Sequence, residues 1–144
     1  MHTTTTLSGN LTREPEIRYT HDGQATTLLP LAVNRRWRDR ATGEWEEATS
    51  FVDVVCWREL AENAALSLVK GSRVLVTGRL EQRTWTTEDG ERRSKIEVVA
   101  DEIGPSLRFA TAEVHRTERR GPAGAGEDEE EEQGIGQAGA SRSA

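Results

Sequence analysis

The chain has 144 residues, of which 34% are hydrophobic and 31% are charged, and its formal net charge is −6. This length suits one domain with a tail, and no stretch approaches the ~18 consecutive apolar residues of a membrane-spanning helix. The acidic total does not exclude a nucleic-acid partner, because residues 1–120 carry 18 Lys and Arg against 19 Asp and Glu, whereas residues 121–144 carry one against six. The folded part is therefore near neutral and can present a basic face.

The first half of the chain predicts three strands joined by polar loops. In order, the pattern gives a strand over residues 3–11, a polar loop over 12–24, a strand over 25–37, a polar loop over 38–46 and a strand over 48–58. Pro30 interrupts the second strand, which favours an edge position or a bulge there. Thr42 and Gly43 predict a turn in the second loop.

The second half predicts one helix followed by two strands. Small and apolar residues recur every three or four positions over residues 59–69, which is typical of one helix face, and Lys70 with Gly71 is the expected C-terminal cap. A strand over 72–84 contains Gly78, which marks a bulge or bend. Asp89 and Gly90 give a hairpin turn signal before a last strand over 95–101.

The order β-β-β-α-β-β predicts an all-β fold, namely an OB-fold: a five-stranded Greek-key barrel with one short helix between strands 3 and 4. Such barrels bind single-stranded nucleic acid or sugars on an open face. We assign residues 1–112 to this domain. Residues 113–144 combine Gly/Ala segments with an acidic run and have few apolar residues, so we expect a disordered tail.

Aromatic residues are the most informative feature, because four of only seven lie in arginine-rich or strand-like stretches. These four are Trp37, Phe51, Trp57 and Trp85. Flat rings beside guanidinium groups can stack bases and neutralise the phosphates between them. The predicted phosphate contacts are Arg35, Arg38, Arg79 and Arg83, with Arg36 and Arg58 as weaker candidates.

Strand alternation predicts which of these rings face outward, because residues two apart lie on the same side of a strand. In the third strand one side is apolar and compact, as a barrel interior requires, and consists of Val52, Val54 and Cys56. The other side then faces outward and carries Phe51, Asp53, Val55 and Trp57. By the same rule Arg35 lies beside Trp37, and Arg83 beside Trp85. Trp45 stays open between stacking a base and packing.

The remaining features favour no other chemistry. The three histidines, at positions 2, 21 and 115, are scattered, so we expect no metal site, no cofactor and no enzymatic activity. Cys56 lies in an apolar run and is expected to be buried and reduced, with a bridge between subunits left open. The N-terminus lacks a secretory signal pattern, which favours a cytoplasmic protein. An OB module that binds RNA or a protein remains an alternative.

The segments quoted next, taken together, resemble bacterial single-stranded DNA-binding proteins over about residues 7–107. They are Gly9-Asn10-Leu11, Pro15-Glu16-Ile17-Arg18-Tyr19, Leu31-Ala32-Val33-Asn34, Thr42-Gly43-Glu44, Val54-Val55-Cys56-Trp57-Arg58-Glu59-Leu60 and Val74-Leu75-Val76-Thr77-Gly78-Arg79-Leu80. The resemblance implies sequence-independent binding of single-stranded DNA in replication, recombination or repair, a homotetramer and a nucleoid location. It also places the family's base-stacking positions on the four aromatic residues above.

The C-terminal sequence departs from this resemblance. Main members of that family end in an acidic tip closed by a Pro-Phe pair, which recruits replication and repair enzymes. Here the acidic residues lie at 127–132, and the last residues are Gly139-Ala140-Ser141-Arg142-Ser143-Ala144. We therefore expect a specialised paralogue without that recruitment, in which the acidic run competes weakly with DNA for the basic face.

Overall fold

The computed structural model describes residues 3–118. The elements in chain order are β1 (Thr4–Leu11), β2 (Glu16–Tyr19), β3 (Ala25–Arg38), β4 (Trp45–Trp57), α1 (Arg58–Ser67), β5 (Arg73–Thr86) and β6 (Arg92–Pro105). The chain divides into a unit that ends at Phe109 and a second that begins at Ala110; residues 110–118 contain no helix or strand. The boundary at residue 112 stays a prediction, and the tail beyond residue 118 lies outside the described residues.

Five strands close into a barrel. They are hydrogen-bonded in the order β1-β5-β6-β4-β3, and β1 also pairs with β3, which completes the ring. The β4–β6 pair is parallel, whereas the other pairs are antiparallel. Helix α1 lies between β4 and β5, the third and fourth strands of the barrel. The predicted OB-fold is therefore confirmed.

The short strand β2 is a correction to the predicted loop over residues 12–24. It pairs antiparallel with β3, with Glu16 opposite Leu28 and Tyr19 opposite Ala25. All four of its residues are exposed. Polar and apolar residues do alternate in Glu16-Ile17-Arg18-Tyr19, but a run of only four residues between Pro15 and the turn at Gly23 is a weak strand signal. The strand forms because its backbone hydrogen-bonds to β3.

Pro30 lies neither at a sheet edge nor at a bulge, contrary to the prediction. Strand β3 pairs with β4 in continuous register on one side. On its other side the neighbour changes from β2, up to Leu28, to β1, from Leu31 onward. The Pro30 carbonyl accepts a hydrogen bond from the backbone N–H of Thr12 at 2.9 Å. Pro30 thus lies between the segment of β3 that pairs with β2 and the segment that pairs with β1. Its missing N–H therefore costs no hydrogen bond between strands.

The core is aliphatic, and its most buried residues are Leu29, Leu31, Val54, Val74, Val76 and Val98. Helix α1 covers it with the buried Ala61 and Ala64. Thr27 is buried too, and its hydroxyl donates to the Ala61 carbonyl at 2.9 Å, which joins β3 to the helix. Cys56 is fully buried, as predicted, and burial raises the pKa of its thiol to about 12. The thiol is therefore neutral at physiological pH and removed from the surface.

The helix ends earlier than predicted. Its last residue is Ser67, and Leu68 follows in an extended conformation, because its side chain packs into the core at 4% exposure. Gly71 is not the helix cap. It has a φ of +90° in the turn that leads to β5, where its N–H donates to the Leu11 carbonyl at 2.8 Å. Lys70 is outside the last helical turn, which contains no basic residue.

Two long hairpins extend beyond the core. On β3 every residue from Asn34 to Arg38 is exposed, and on β5 the same holds from Leu80 to Thr86. The predicted turns at Gly43 and Gly90 are confirmed, with φ of +73° and +83°. The predicted bulge at Gly78 is confirmed as a register shift between β5 and β6. The hairpins β3–β4 and β5–β6 therefore carry side chains that the core does not need.

Candidate nucleic-acid interface

One side of strands β3 to β6 faces away from the core, and we call it the outer face; it carries Phe51, Trp57, Arg83 and Lys95. On β4, Val54 and Cys56 are fully buried, while Phe51 is 77% exposed and Trp57 is 39% exposed. The alternation predicted for this strand is therefore confirmed.

Three of the four predicted stacking rings share the outer face. In the β5–β6 hairpin Arg83 lies opposite Lys95, and Trp85 lies opposite Arg93. The Lys95 ammonium contacts the Asp53 carboxylate of β4. Directly opposite residues point to the same side of a sheet, so Trp85 lies on the side that carries Asp53. Phe51 and Trp57 lie on that side as well.

Trp37 lies on the opposite side of the β3–β4 hairpin from Phe51. It pairs with Glu46, whereas Phe51 pairs with Ala32. Along β3, Trp37 is an even number of residues from the buried Leu31, so it continues the barrel's inner side beyond the core. Because the hairpin extends beyond the core, its inner side is also open to solvent here, and Trp37 is 42% exposed. Arg35 lies on the same side.

Each predicted pairing of a ring with a guanidinium on the same strand is present. The Arg83 guanidinium carbon lies 5.2 Å from the Trp85 ring centroid, and the Arg35 guanidinium carbon lies 6.0 Å from that of Trp37. These distances are within the range of cation–π attraction, about 6 Å. A guanidinium in this position places a positive charge beside a surface that can stack a base.

Two other predicted phosphate contacts have protein partners. The Arg79 guanidinium lies 2.9 Å from the Glu81 carboxylate and 3.8 Å from that of Asp101, so two nearby negative charges offset its attraction for phosphate. Arg38 donates from Nε to the Gly43 carbonyl at 2.9 Å. That bond is to a neutral group and orients Arg38 without offsetting its charge.

The ion pair of Lys95 and Asp53 is a feature that the sequence did not assign to the site. Asp53 is placed among the rings by strand alternation alone, so its position was readable from the sequence. Its partner was not, because Lys95 is 42 residues away along the chain and is brought near only by the barrel. Asp53 lowers the positive charge of the outer face, because its carboxylate forms an ion pair with Lys95.

Trp45, for which stacking and packing were both open, is exposed on the outer face. Its ring is 59% exposed, and the Arg36 guanidinium carbon lies 4.7 Å from the ring centroid. Arg36 also lies 3.9 Å from Glu47. Trp45 therefore does not pack into the barrel core.

The described part of the chain contains no cluster of side chains that could bind a metal ion. Within residues 3–118 no three His, Cys, Asp or Glu side chains come together in a way that could hold a metal ion. No helix in this range has the length and apolar character needed to cross a membrane.

Comparison with known proteins identifies the relationship. Residues 2–106 match the sequence model of the single-strand binding protein family. A single-stranded DNA-binding protein of Mycobacterium tuberculosis is 50% identical over 125 residues, which are 86% of this chain and 76% of that protein. One from Mycolicibacterium smegmatis is 51% identical over 120 residues, which are 83% of this chain and 73% of that protein.

A solved structure supports the same relationship. The crystal structure of the small single-stranded DNA-binding protein from Streptomyces coelicolor superposes with a TM-score of 0.61 at 33% identity, and the match covers 74% of this chain and 96% of that one. The family model spans most of the chain, and the relatives share half of their aligned residues with it. The chain therefore belongs to the single-strand binding protein family.

Proposed function

We propose that this protein binds single-stranded DNA without sequence preference. Trp37, Phe51, Trp57 and Trp85 stack on bases, and Arg35, Arg38 and Arg83 neutralise phosphates. Arg79 makes a weaker contribution, because Glu81 and Asp101 offset part of its charge. The mechanism is occupancy rather than catalysis: bound protein keeps the strand from pairing and shields it from nucleases. In the cell this activity serves replication, recombination or repair in the cytoplasm at the nucleoid.

The observation that carries the proposal is the exposure of large rings on a domain whose core is already filled by aliphatic side chains. Phe51 is 77% exposed on the outer face, where its ring contributes nothing to the core. Exposed apolar groups that gather on one surface mark interaction sites. Base stacking on such rings contributes about 1–3 kcal/mol per base and tolerates any sequence.

The arrangement of charge supports a nucleic-acid ligand over an apolar protein partner. Guanidinium groups lie over Trp85 and over Trp37, which places a cation beside each of these two rings. Neutralised phosphates release counterions, so the affinity must fall as salt rises. An apolar protein partner would show little of this salt dependence.

The test is a titration with oligo(dT), followed by tryptophan fluorescence at low and at high salt. We expect saturable quenching whose affinity weakens with salt, because stacked bases quench the indoles and phosphates bind the arginines. A matched RNA oligonucleotide that binds equally well would favour an RNA-binding module. A folded protein that shows no quenching with either would contradict the proposal and favour a protein-interaction module.

The Asp53→Asn variant is expected to bind single-stranded DNA more tightly at low salt. The change removes the carboxylate that holds Lys95, and it leaves Lys95 and Arg83 opposite each other on the outer face. One further phosphate contact should steepen the slope of log affinity against log salt by about 0.7. Fluorescence titrations over a salt series measure this slope.

The control for this variant is Glu62→Gln, which removes the same charge from the exposed side of α1. It should leave the slope unchanged. Equal effects of the two substitutions would mean that net charge alone matters, and would reject the specific role of the Asp53–Lys95 pair.

Assembly into a homotetramer is part of the same proposal. Residues 4–9 of β1 pair with β5 on one side, and β1 meets β3 only at Asn10 and Leu11. Among the described residues the second edge of β1 thus has no partner strand over residues 4–9. An open strand edge can pair with another chain, which supports association. Light scattering of the purified protein would measure the mass directly, and a monomer would reject this part.

A further inference from the structure

The end of the β3–β4 hairpin carries an Arg–Trp pair that lies beyond the four stacking rings proposed above. Trp45 is the first residue of β4, and its ring is 59% exposed. The Arg36 guanidinium carbon, on β3, lies 4.7 Å from the ring centroid. This is the shortest of the three Arg–Trp distances in the described residues.

The pair lies on the outer face. Arg38 is directly opposite Trp45, and Arg36 is directly opposite Glu47, so these side chains point to one side of the hairpin. Trp45 and Phe51 are six residues apart on one strand and therefore share that side. At about 3.4 Å per residue their separation along the strand is roughly 20 Å.

The geometry is that of a prepared stacking surface. A guanidinium over one side of an indole holds the ring by cation–π attraction and leaves its other side for a flat ligand. Arg38 and Arg36 lie on the same side of the hairpin and provide positive charge where a phosphate would pass; Glu47, 3.9 Å from Arg36, offsets part of the charge of Arg36. Stacking on an exposed ring costs conformational entropy, because the ring must be fixed in one orientation. This cost is smaller for Trp45, because Arg36 already holds its ring in place.

We propose that Trp45, oriented by Arg36, is a further base-stacking residue, and that it extends the DNA path from Phe51 to the end of the β3–β4 hairpin. This inference rests on the proposed binding of single-stranded DNA. It assigns a role to a residue outside the four ring positions on which that proposal stands. The consequence is a dependence on DNA length, because only a strand long enough to span the roughly 20 Å beyond Phe51 reaches Trp45.

The test compares wild type and Trp45→Ala with oligo(dT) of increasing length at fixed low salt. Wild-type affinity should rise when the strand becomes long enough to reach Trp45, and the variant should lack this increment. On long oligonucleotides the variant should bind about 5- to 150-fold more weakly, the factor for one stacked base. On the shortest oligonucleotides that bind, its affinity should equal that of wild type.

Two further variants make the outcome decisive. Leu66→Ala removes an exposed apolar side chain from α1 and should leave affinity unchanged at every length. Trp45→Phe keeps a flat ring, so affinity for long oligo(dT) should hold while the total fluorescence quenching falls by the share of one indole. If quenching on long oligo(dT) does not fall, Trp45 does not stack, even if Trp45→Ala proves unstable.

The two proposals fail in distinguishable ways. Wild-type protein that binds no oligo(dT) of any length would reject the binding function itself. Wild-type protein that binds normally, with a Trp45→Ala variant of equal affinity at every length, would reject only the role of Trp45.

Discussion

Replacement of Trp85 by Ala is expected to weaken binding of single-stranded DNA by about 1–3 kcal/mol, the contribution of one stacked base. Trp85 lies on the outer face with Arg83 over its ring at 5.2 Å, and it is 38% exposed. The variant removes the stacking surface and leaves the guanidinium, so salt dependence should change little while affinity falls. Because the variant lacks one of the tryptophans that give the fluorescence signal, its affinity is better measured by filter binding of labelled oligo(dT).

The control for this prediction is Thr84→Ala. Thr84 is adjacent on β5 and points to the opposite side, so its replacement should leave DNA affinity unchanged. Both variants should keep a cooperative thermal transition close to that of wild type. A collapsed transition in Trp85→Ala would show that the ring supports the fold, and a similar loss of affinity in both variants would mean that the effect is not stacking.

Replacement of Gly78 by Ala is expected to lower the free energy of unfolding by about 1–3 kcal/mol, as overpacking in a well-packed site does. Gly78 lies at the bulge between β5 and β6. A Cβ there would be 2.2 Å from the Val99 carbonyl oxygen and 2.9 Å from its carbon, so the backbone of β6 would have to move. The conformation itself is not the cause, because the φ of Gly78 is not positive.

The matched control is Gly104→Ala on β6, where an added Cβ would meet nothing within 4 Å. This change should be neutral or slightly stabilising, because Ala reduces the conformational freedom of the unfolded chain. Urea unfolding at one protein concentration measures both variants, since an oligomer's stability depends on concentration. Equal midpoints for the two variants would contradict the close approach of the strands at Gly78.

The two sides of the β3–β4 hairpin have a consequence for how DNA would bind. Phe51 and Trp57 lie on the outer face, whereas Trp37 continues the inner side of the barrel beyond the core. A single strand that stacks on both sets must pass around the edge or end of the hairpin instead of crossing one flat surface. Trp45 lies at that end, which is where such a path would turn.

Much of the fold was predictable because its signals are local. Strand alternation, the helical spacing in α1 and the turns at Gly43 and Gly90 each depend on residues close in sequence. The errors share the opposite property. Strand β2 has no buried face and exists through pairing with β3. The helix ends at Ser67 because Leu68 is needed in the core, a requirement that comes from distant strands.

The candidate site divides in the same way. The sequence by itself determined that Phe51 and Trp57 oppose the buried Val54 and Cys56, and that Arg83 lies beside Trp85. These facts follow from the two-residue period of a strand, which needs no knowledge of its neighbours.

Only the tertiary structure decided which strands face each other and in what register. That register joins Lys95 to Asp53, sets Arg36 over Trp45 and turns Trp37 away from Phe51. Each of these contacts depends on alignment between separate strands, and a shift of one residue would send every side chain of a strand to the other face. The alignment is set by burial of the whole aliphatic core, so no short segment of the sequence contains it.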